Sequence, residues 1–121
     1  YNNEKEELSS IKELIATYQA SAYKSLGIVC KTESQACEMA DKLQIPDIHF
    51  LSNQSSAFVQ GIVITSAHMA KGLEFDEVII PQTDDKNYHS EIDRSMLYVA
   101  VTRAMHRLTL TYSGTKHTPF I

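Results

Sequence analysis

Hydrophobic residues in this chain fall into blocks whose spacing switches between helical and extended. Leu8, Ile11, Ile15, Tyr18 and Ala22 recur at helical intervals with charges between them, which predicts an amphipathic helix over 4–23. Residues 26–30 form a short apolar run that reads as a strand. Thr32 then opens a second helix: Gln35 completes a capping-box pattern, Ala36, Met39, Ala40 and Leu43 supply a buried face, and Pro46 stops it. Further strands are predicted over 48–51, 62–65 and 77–81, with a polar connection over 52–61 and a turn or single helical turn over 66–73. After a polar loop at 83–89, Ser90 and Asp93 mark another helix start, running to about Thr102. Residues 108–112 read as the last strand and 115–121 as a tail.

Helices and short strands thus alternate along the whole length. Runs such as 62–65 and 78–80 are nearly continuously apolar, which suits strands buried on both faces. The expected architecture is one domain over 1–121, an α/β fold with a mostly parallel sheet and helices on both faces.

Composition changes this picture little. Hydrophobic residues at 43% and charged residues at 21% are globular values, and a net charge of -4 excludes a protein that coats nucleic acid by bulk charge. Cys30 and Cys37 have neither metal-site nor disulfide-framework spacing and read as reduced core or near-core thiols, which fits a cytoplasmic location. No apolar stretch approaches the roughly 18 residues that span a bilayer. The chain opens on Tyr1, so a fragment of a longer protein is expected.

Two blocks carry chemistry. Residues 64–75 read ITSAHMAKGLEF and residues 90–107 read SEIDRSMLYVAVTRAMHR. Together they resemble motifs five and six of the UvrD/Rep-like superfamily-one helicases, with the patterns T-x-H-x-x-K-G-L-E-F and R-x-x-L-Y-V-A-x-T-R-A. Residues 26–43 resemble the strand and helix of the motif-four region, and AKGLEFDEVII (70–80) followed by TRAMHRL (102–108) looks closest to the helicase-IV and RNA-polymerase-recycling branch. The resemblance implies a RecA-like second motor domain of the P-loop NTPase type, one that completes an ATP site whose other half lies on an N-terminal motor domain. Many family members insert an accessory domain between the motif-four region and motif five. Here eighteen residues separate Leu43 from Ile62, so a compact version is implied.

Arg103 ends a predicted helix, where a cation suits the helix dipole, and its guanidinium can grip phosphate oxygens in a fork. The resemblance makes it the catalytic arginine that neutralises charge on the γ-phosphate. By the same resemblance Glu74 touches the nucleotide, Gly72 permits close backbone approach and Lys71 faces phosphate. Thr65, Ser66 and His68 match positions on the nucleic-acid backbone, where hydroxyl and imidazole groups fix position without reading sequence. Arg94 matches a family arginine and is expected to hold its helix by pairing with an acidic neighbour. Tyr98 matches the family tyrosine and is expected, with Val99, to pack. Ser95 stands where the family often has a second basic residue.

The remaining machinery is absent. The glycines are Gly27, Gly61, Gly72 and Gly114, so no G-x-x-x-x-G-K-[ST] phosphate loop exists in these residues. ATP and Mg²⁺ are therefore expected to be held mainly by the N-terminal motor domain, with single-stranded DNA as a further partner, no membrane contact, and this stretch inactive alone. The sequence admits two other readings. A metal-dependent nuclease could use Asp76 or the run Asp84-Asp85-Lys86, but that run lies in a polar loop and reads as a solvated turn. A non-catalytic module docking to a partner such as RNA polymerase could use the acidic first helix, which a solvated helix face also explains.

Overall fold

The computed structural model describes residues 4–21, 23, 25–43, 48–50, 61–70, 75–84 and 87–112, without the side chains at 4, 48–50, 68 and 106. Its elements run α1 (Glu4–Gln19), β1 (Ser25–Cys30), α2 (Glu33–Leu43), β2 (Ile48–Phe50), β3 (Gly61–Ser66), α3 (Ala67–Ala70), β4 (Phe75–Ile80), α4 (Glu91–Val101) and β5 (Ala104–Leu110). The strands form one sheet in the order β2-β3-β1-β4-β5, and every pairing is parallel. The expected α/β architecture is the observed one.

Side chains alternate across the sheet and build two cores. Leu26, Ile28 and Cys30 of β1, Ile62 and Ile64 of β3 and Ile79 of β4 pack with Ile11, Ile15 and Tyr18 of α1 and Ala36, Met39 and Leu43 of α2. Val29, Val63, Val78 and Ile80 point the other way, where they meet Ala67 and Ala70 of α3, Leu97 and Ala100 of α4, and Tyr88. Two buried faces explain the unbroken apolar strands, each large aliphatic side chain contributing roughly 1.5–3 kcal/mol. The central strand β1 comes so close to Phe75 that a Cβ on Gly27 would stand 2.5 Å from the ring.

Several boundaries differ from expectation, each for a local reason. The first helix ends at Gln19 rather than 23, because Ser21 donates its hydroxyl to Tyr18 O at 2.6 Å and accepts the Tyr23 amide at 3.2 Å, turning the chain toward β1. The last strand begins at Ala104, not 108, since the C-cap Thr102 of α4 is followed almost at once by pairing of Ala104 with Phe75. In the α2 capping box only half forms. Thr32 Oγ1 accepts the Gln35 amide at 3.2 Å, but the Gln35 side chain donates to Asn87 Oδ1 at 2.8 Å instead of turning back. Cys30 is buried as expected and its thiol is pushed up to about 12, first by burial and then by the Glu7 charge; Cys37 is exposed, against expectation.

The N-terminal helix is not simply a solvated acidic face. Glu7 is buried, and its Oε2 accepts the Gln82 amide and the Thr111 hydroxyl, both at 2.8 Å. This carboxylate holds Gln82 in its left-handed conformation, φ 57, where β4 has just ended.

Candidate functional site

The helix that delivers Arg103 is fixed at both ends. At its start Ser90 Oγ accepts the Asp93 amide while Asp93 Oδ2 accepts the Ser90 amide, each at 3.2 Å, completing a capping box. At its end Thr102 is the C-cap. Arg103 follows directly: its Nε donates to Val99 O at 3.2 Å and its Nη2 to Thr102 Oγ1 at 3.1 Å. The partly exposed guanidinium is thus folded back on the helix terminus, where the backbone carbonyls of the last turn concentrate negative potential. Its own carbonyl accepts the Phe75 amide at 2.9 Å, so Arg103 sits where β4 and β5 both begin.

That ladder joins the two sequence blocks. Phe75 closes the first and Arg103 lies in the second, and a hydrogen bond connects them. Lys71, Gly72 and Glu74 precede Phe75 in sequence and lie outside the described residues.

Ser66 and Thr65 stand at the opposite edge, at the C-terminal end of β3, where Ser66 pairs with Cys30 and Thr65 with Val29. Parallel strands of six residues place the two edges roughly 20 Å apart. Ser66 Oγ accepts the Met69 amide at 3.3 Å and so caps α3. Thr65 is fully buried, on the same side as Val63, so its hydroxyl does not reach the surface of the domain. Counted back from Lys71, the threonine of the family pattern falls on Ser66, and Thr65 is one step deeper in the sheet. His68 lies in α3, with its side chain outside the described residues.

Of the two supporting side chains, Arg94 pairs as expected and Tyr98 does not pack. Arg94 does pair with an acidic neighbour, Glu91, but at 3.9 Å and with both side chains largely exposed, a geometry that holds a helix weakly. Tyr98 is 69% exposed rather than packed, because it falls on the outer face of α4 while Leu97 and Ala100 take the inner one.

The clasp on α4 is made elsewhere, by residues sequence reasoning did not single out. Lys31, directly after β1, places its Nζ 2.8 Å from Asp93 Oδ1 and 5.9 Å from the centre of the buried Tyr88 ring. Together with the His89 and Ser90 amides, Lys31 holds the Asp93 carboxyl well below the usual carboxylate range despite its burial. Tyr88 anchors the loop expected to be merely polar, and burial raises its phenol. Ser90 and Asp93 were visible as a local cap; nothing in the spacing pointed to Lys31.

A second buried acid lies on β4. Glu77 is fully buried beside Arg107 at 3.6 Å, with neither carboxylate oxygen hydrogen-bonded, and Arg107 stacks over Tyr23 at 5.1 Å. Of the nuclease carboxylates, the two described ones stand apart: Asp76 lies at the start of β4, whereas Asp84 lies beyond its end and accepts the amide and side chain of Asn87. Asp85 and Lys86 lie outside the described residues. Among the described residues no His, Cys, Asp and Glu cluster could hold a metal ion, and no helix is long and apolar enough to cross a membrane.

Known proteins resemble this chain in sequence and in fold. Residues 61–111 match the family model of the UvrD-like helicase C-terminal domain, which spans β3 through β5 and both sequence blocks. The likeness first read from those blocks is therefore a match to a helicase C-terminal domain. Among individual relatives, DNA helicase II of Escherichia coli K12 and that of Salmonella typhimurium are each 34% identical over 73 residues, covering 52% of this chain and 10% of theirs. The Gabija protein GajB of Bacillus cereus VD045 is 41% identical over 58 residues, covering 48% of this chain and 12% of its own. The chain thus spans about a tenth of the length of these relatives. The same fold occurs in the C-terminal domain of a possible DNA helicase from Lactobacillus plantarum WCFS1, with TM-score 0.84 at 24% identity over 98% of this chain and 73% of that one. An arterivirus nonstructural protein 10 helicase, solved with DNA, superposes with TM-score 0.53 at 13% identity over 95% of this chain and 29% of its own.

Proposed function

We propose that this domain is the second motor half of an ATP-driven DNA helicase or translocase, completing an ATP site formed mainly by an N-terminal motor domain. The observation that carries the reading is the hydrogen bond from Phe75 to Arg103, which brings the end of the K-G-L-E-F block and the arginine of the second block to one sheet edge. In this reading that edge faces the nucleotide. Arg103 leaves its helix terminus for the γ-phosphate when the two motor domains close, and neutralises the charge that develops there. Glu74, Gly72 and Lys71 approach the nucleotide from the adjoining segment. Mg²⁺ and the remaining phosphate contacts belong to the N-terminal domain.

On the opposite edge, Ser66 and His68 meet the backbone of single-stranded DNA, with Thr65 beneath them as support. Separating the two functions by the height of the sheet lets domain closure at one edge shift the grip on a strand at the other. The parent works in the cytoplasm, and these 121 residues alone bind ATP weakly and do not hydrolyse it.

The test is Arg103→Ala in the full-length protein. Strand-stimulated ATP hydrolysis should fall by about 10³-fold or more, by analogy with arginine fingers in GTPases, while ATP binding stays largely intact. Hydrolysis within a few-fold of wild type would remove Arg103 from the active site.

A further inference from the structure

Helix α4 joins two contacts that face in different directions. Near its start, Asp93 is tied by Lys31 at 2.8 Å to the end of β1, the central strand of the sheet. Just beyond its end stands Arg103, whose carbonyl is tied by the Phe75 amide to the beginning of β4. Between Asp93 and Arg103 lies one uninterrupted helix, roughly 15 Å at the usual rise per residue.

The tie to Lys31 is more than the cap requires. Ser90 and Asp93 complete the capping box between themselves, and the His89 amide, at 3.2 Å from Asp93 Oδ2, adds another bond. His89 Nδ1 also lies 3.6 Å from the same carboxylate. Lys31 nevertheless holds its ammonium against this carboxylate with only 20% of its side chain exposed, over the face of Tyr88. Nearby, Gln35 of α2 reaches Asn87, which bonds Asp84, so the loop leading into α4 is also pinned to the helix after β1. The exposed Arg94–Glu91 pair cannot do this, since both partners belong to α4 itself.

We propose that Lys31 and Asp93 are positioning residues for Arg103, seating α4 on the central strand so that the arginine at its far end stands where the γ-phosphate arrives. The proposal rests on the reading of Arg103 as the γ-phosphate arginine. A helix transmits displacement along its length with little loss, and a misplacement of about 1 Å at a reacting group costs about 100-fold in rate. Lys31 and Asp93 touch no substrate in this scheme; their effect passes through α4.

The experiment compares Lys31→Met, Lys31→Arg, Arg103→Ala and the Lys31→Met/Arg103→Ala pair in the full-length protein. Lys31→Met leaves the capping box intact, so the helix still forms. The readouts are kcat and KM for ATP with saturating single-stranded DNA, melting temperature, and affinity for ADP alone against ADP with aluminium fluoride. Lys31→Met should lower kcat about 10- to 100-fold, with KM and ADP affinity within two-fold of wild type. Affinity for the aluminium fluoride complex should fall by the same factor as kcat. Lys31→Arg should restore most of kcat, and the pair should be no slower than Arg103→Ala alone. Unchanged kcat in Lys31→Met beside an inactive Arg103→Ala would overturn the positioning role and leave the arginine reading standing. Parallel losses in ADP and aluminium fluoride affinity would mark a merely structural effect and overturn it too. An active Arg103→Ala would instead sink the arginine reading, and the positioning role with it.

Discussion

Asp93 and Glu77 are both buried acids, and their surroundings push them in opposite directions. The charge-assisted bond from Lys31 dominates at Asp93 and lowers its pKa, with burial opposing and the His89 and Ser90 amides assisting. At Glu77 burial dominates and raises the pKa, only partly offset by Arg107. The sign for stability follows from linkage. Asp93, depressed in the fold, contributes stability that is present above its unfolded value of about 4 and is lost as pH falls through its folded value. Glu77, raised in the fold, contributes stability present below its unfolded value of about 4.3 and lost as pH rises through its folded value. Urea titrations between acid and neutral pH should therefore give opposite results for the two neutral variants. Asp93→Asn should lose stability at pH 7 and flatten the acid limb. Glu77→Gln should be as stable as wild type at pH 7, or more so, and show no advantage at the acid end. An acid limb unchanged by Asp93→Asn would mean that Lys31 does not stabilise the charged carboxylate.

Among the elements, β1 packs Gly27 against the Phe75 ring with no room for a side chain. A methyl group at position 27 would stand 2.5 Å from one ring carbon and 2.8 Å from two others, and Phe75 is itself fully buried at the start of β4. The ring cannot swing aside without leaving the core shared with α3 and α4, so Gly27→Ala should destabilise by about 1–3 kcal/mol. Adding Phe75→Leu should recover part of that loss in the same denaturation assay; equal or greater loss in the double variant would contradict the clash. Element identity was largely legible in the sequence because it depends on neighbours a few residues away. The Ser90–Asp93 cap is the clearest case: both reciprocal bonds span three residues, and both form. The Thr32–Gln35 pattern looked equivalent yet formed only in part, because a partner 52 residues distant captured the glutamine side chain. Tyr98, expected to pack, is exposed because it lies off the face of α4 that Leu97 and Ala100 bury.

For the whole molecule, Glu7 ties the first helix to segments near the other end of the described chain. One carboxylate oxygen meets Gln82, 75 residues away, and Thr111, 104 residues away. Glu7→Ala would leave the buried Thr111 hydroxyl without its acceptor, at about 1–3 kcal/mol, and strip the part-buried Gln82 amide of the same partner. The expected result is a lower denaturation midpoint, with protection of the Gln82 amide reduced in hydrogen exchange. Unaltered protection at Gln82 would show that α1 does not hold that loop.

By itself the sequence determined the α/β class, the two-faced burial of the strands, the missing phosphate loop and the two blocks whose match to a helicase C-terminal domain was found over 61–111. Those properties reside in periodicity, composition and local spacing. Tertiary structure decided how the blocks are used. It set Arg103 beside the start of β4, buried Thr65, exposed Tyr98 and gave Asp93 to Lys31. Parallel pairing is the physical reason. Each strand is brought beside another only after the chain has crossed the sheet through a helix or loop, so side chains that meet at an edge lie far apart in sequence.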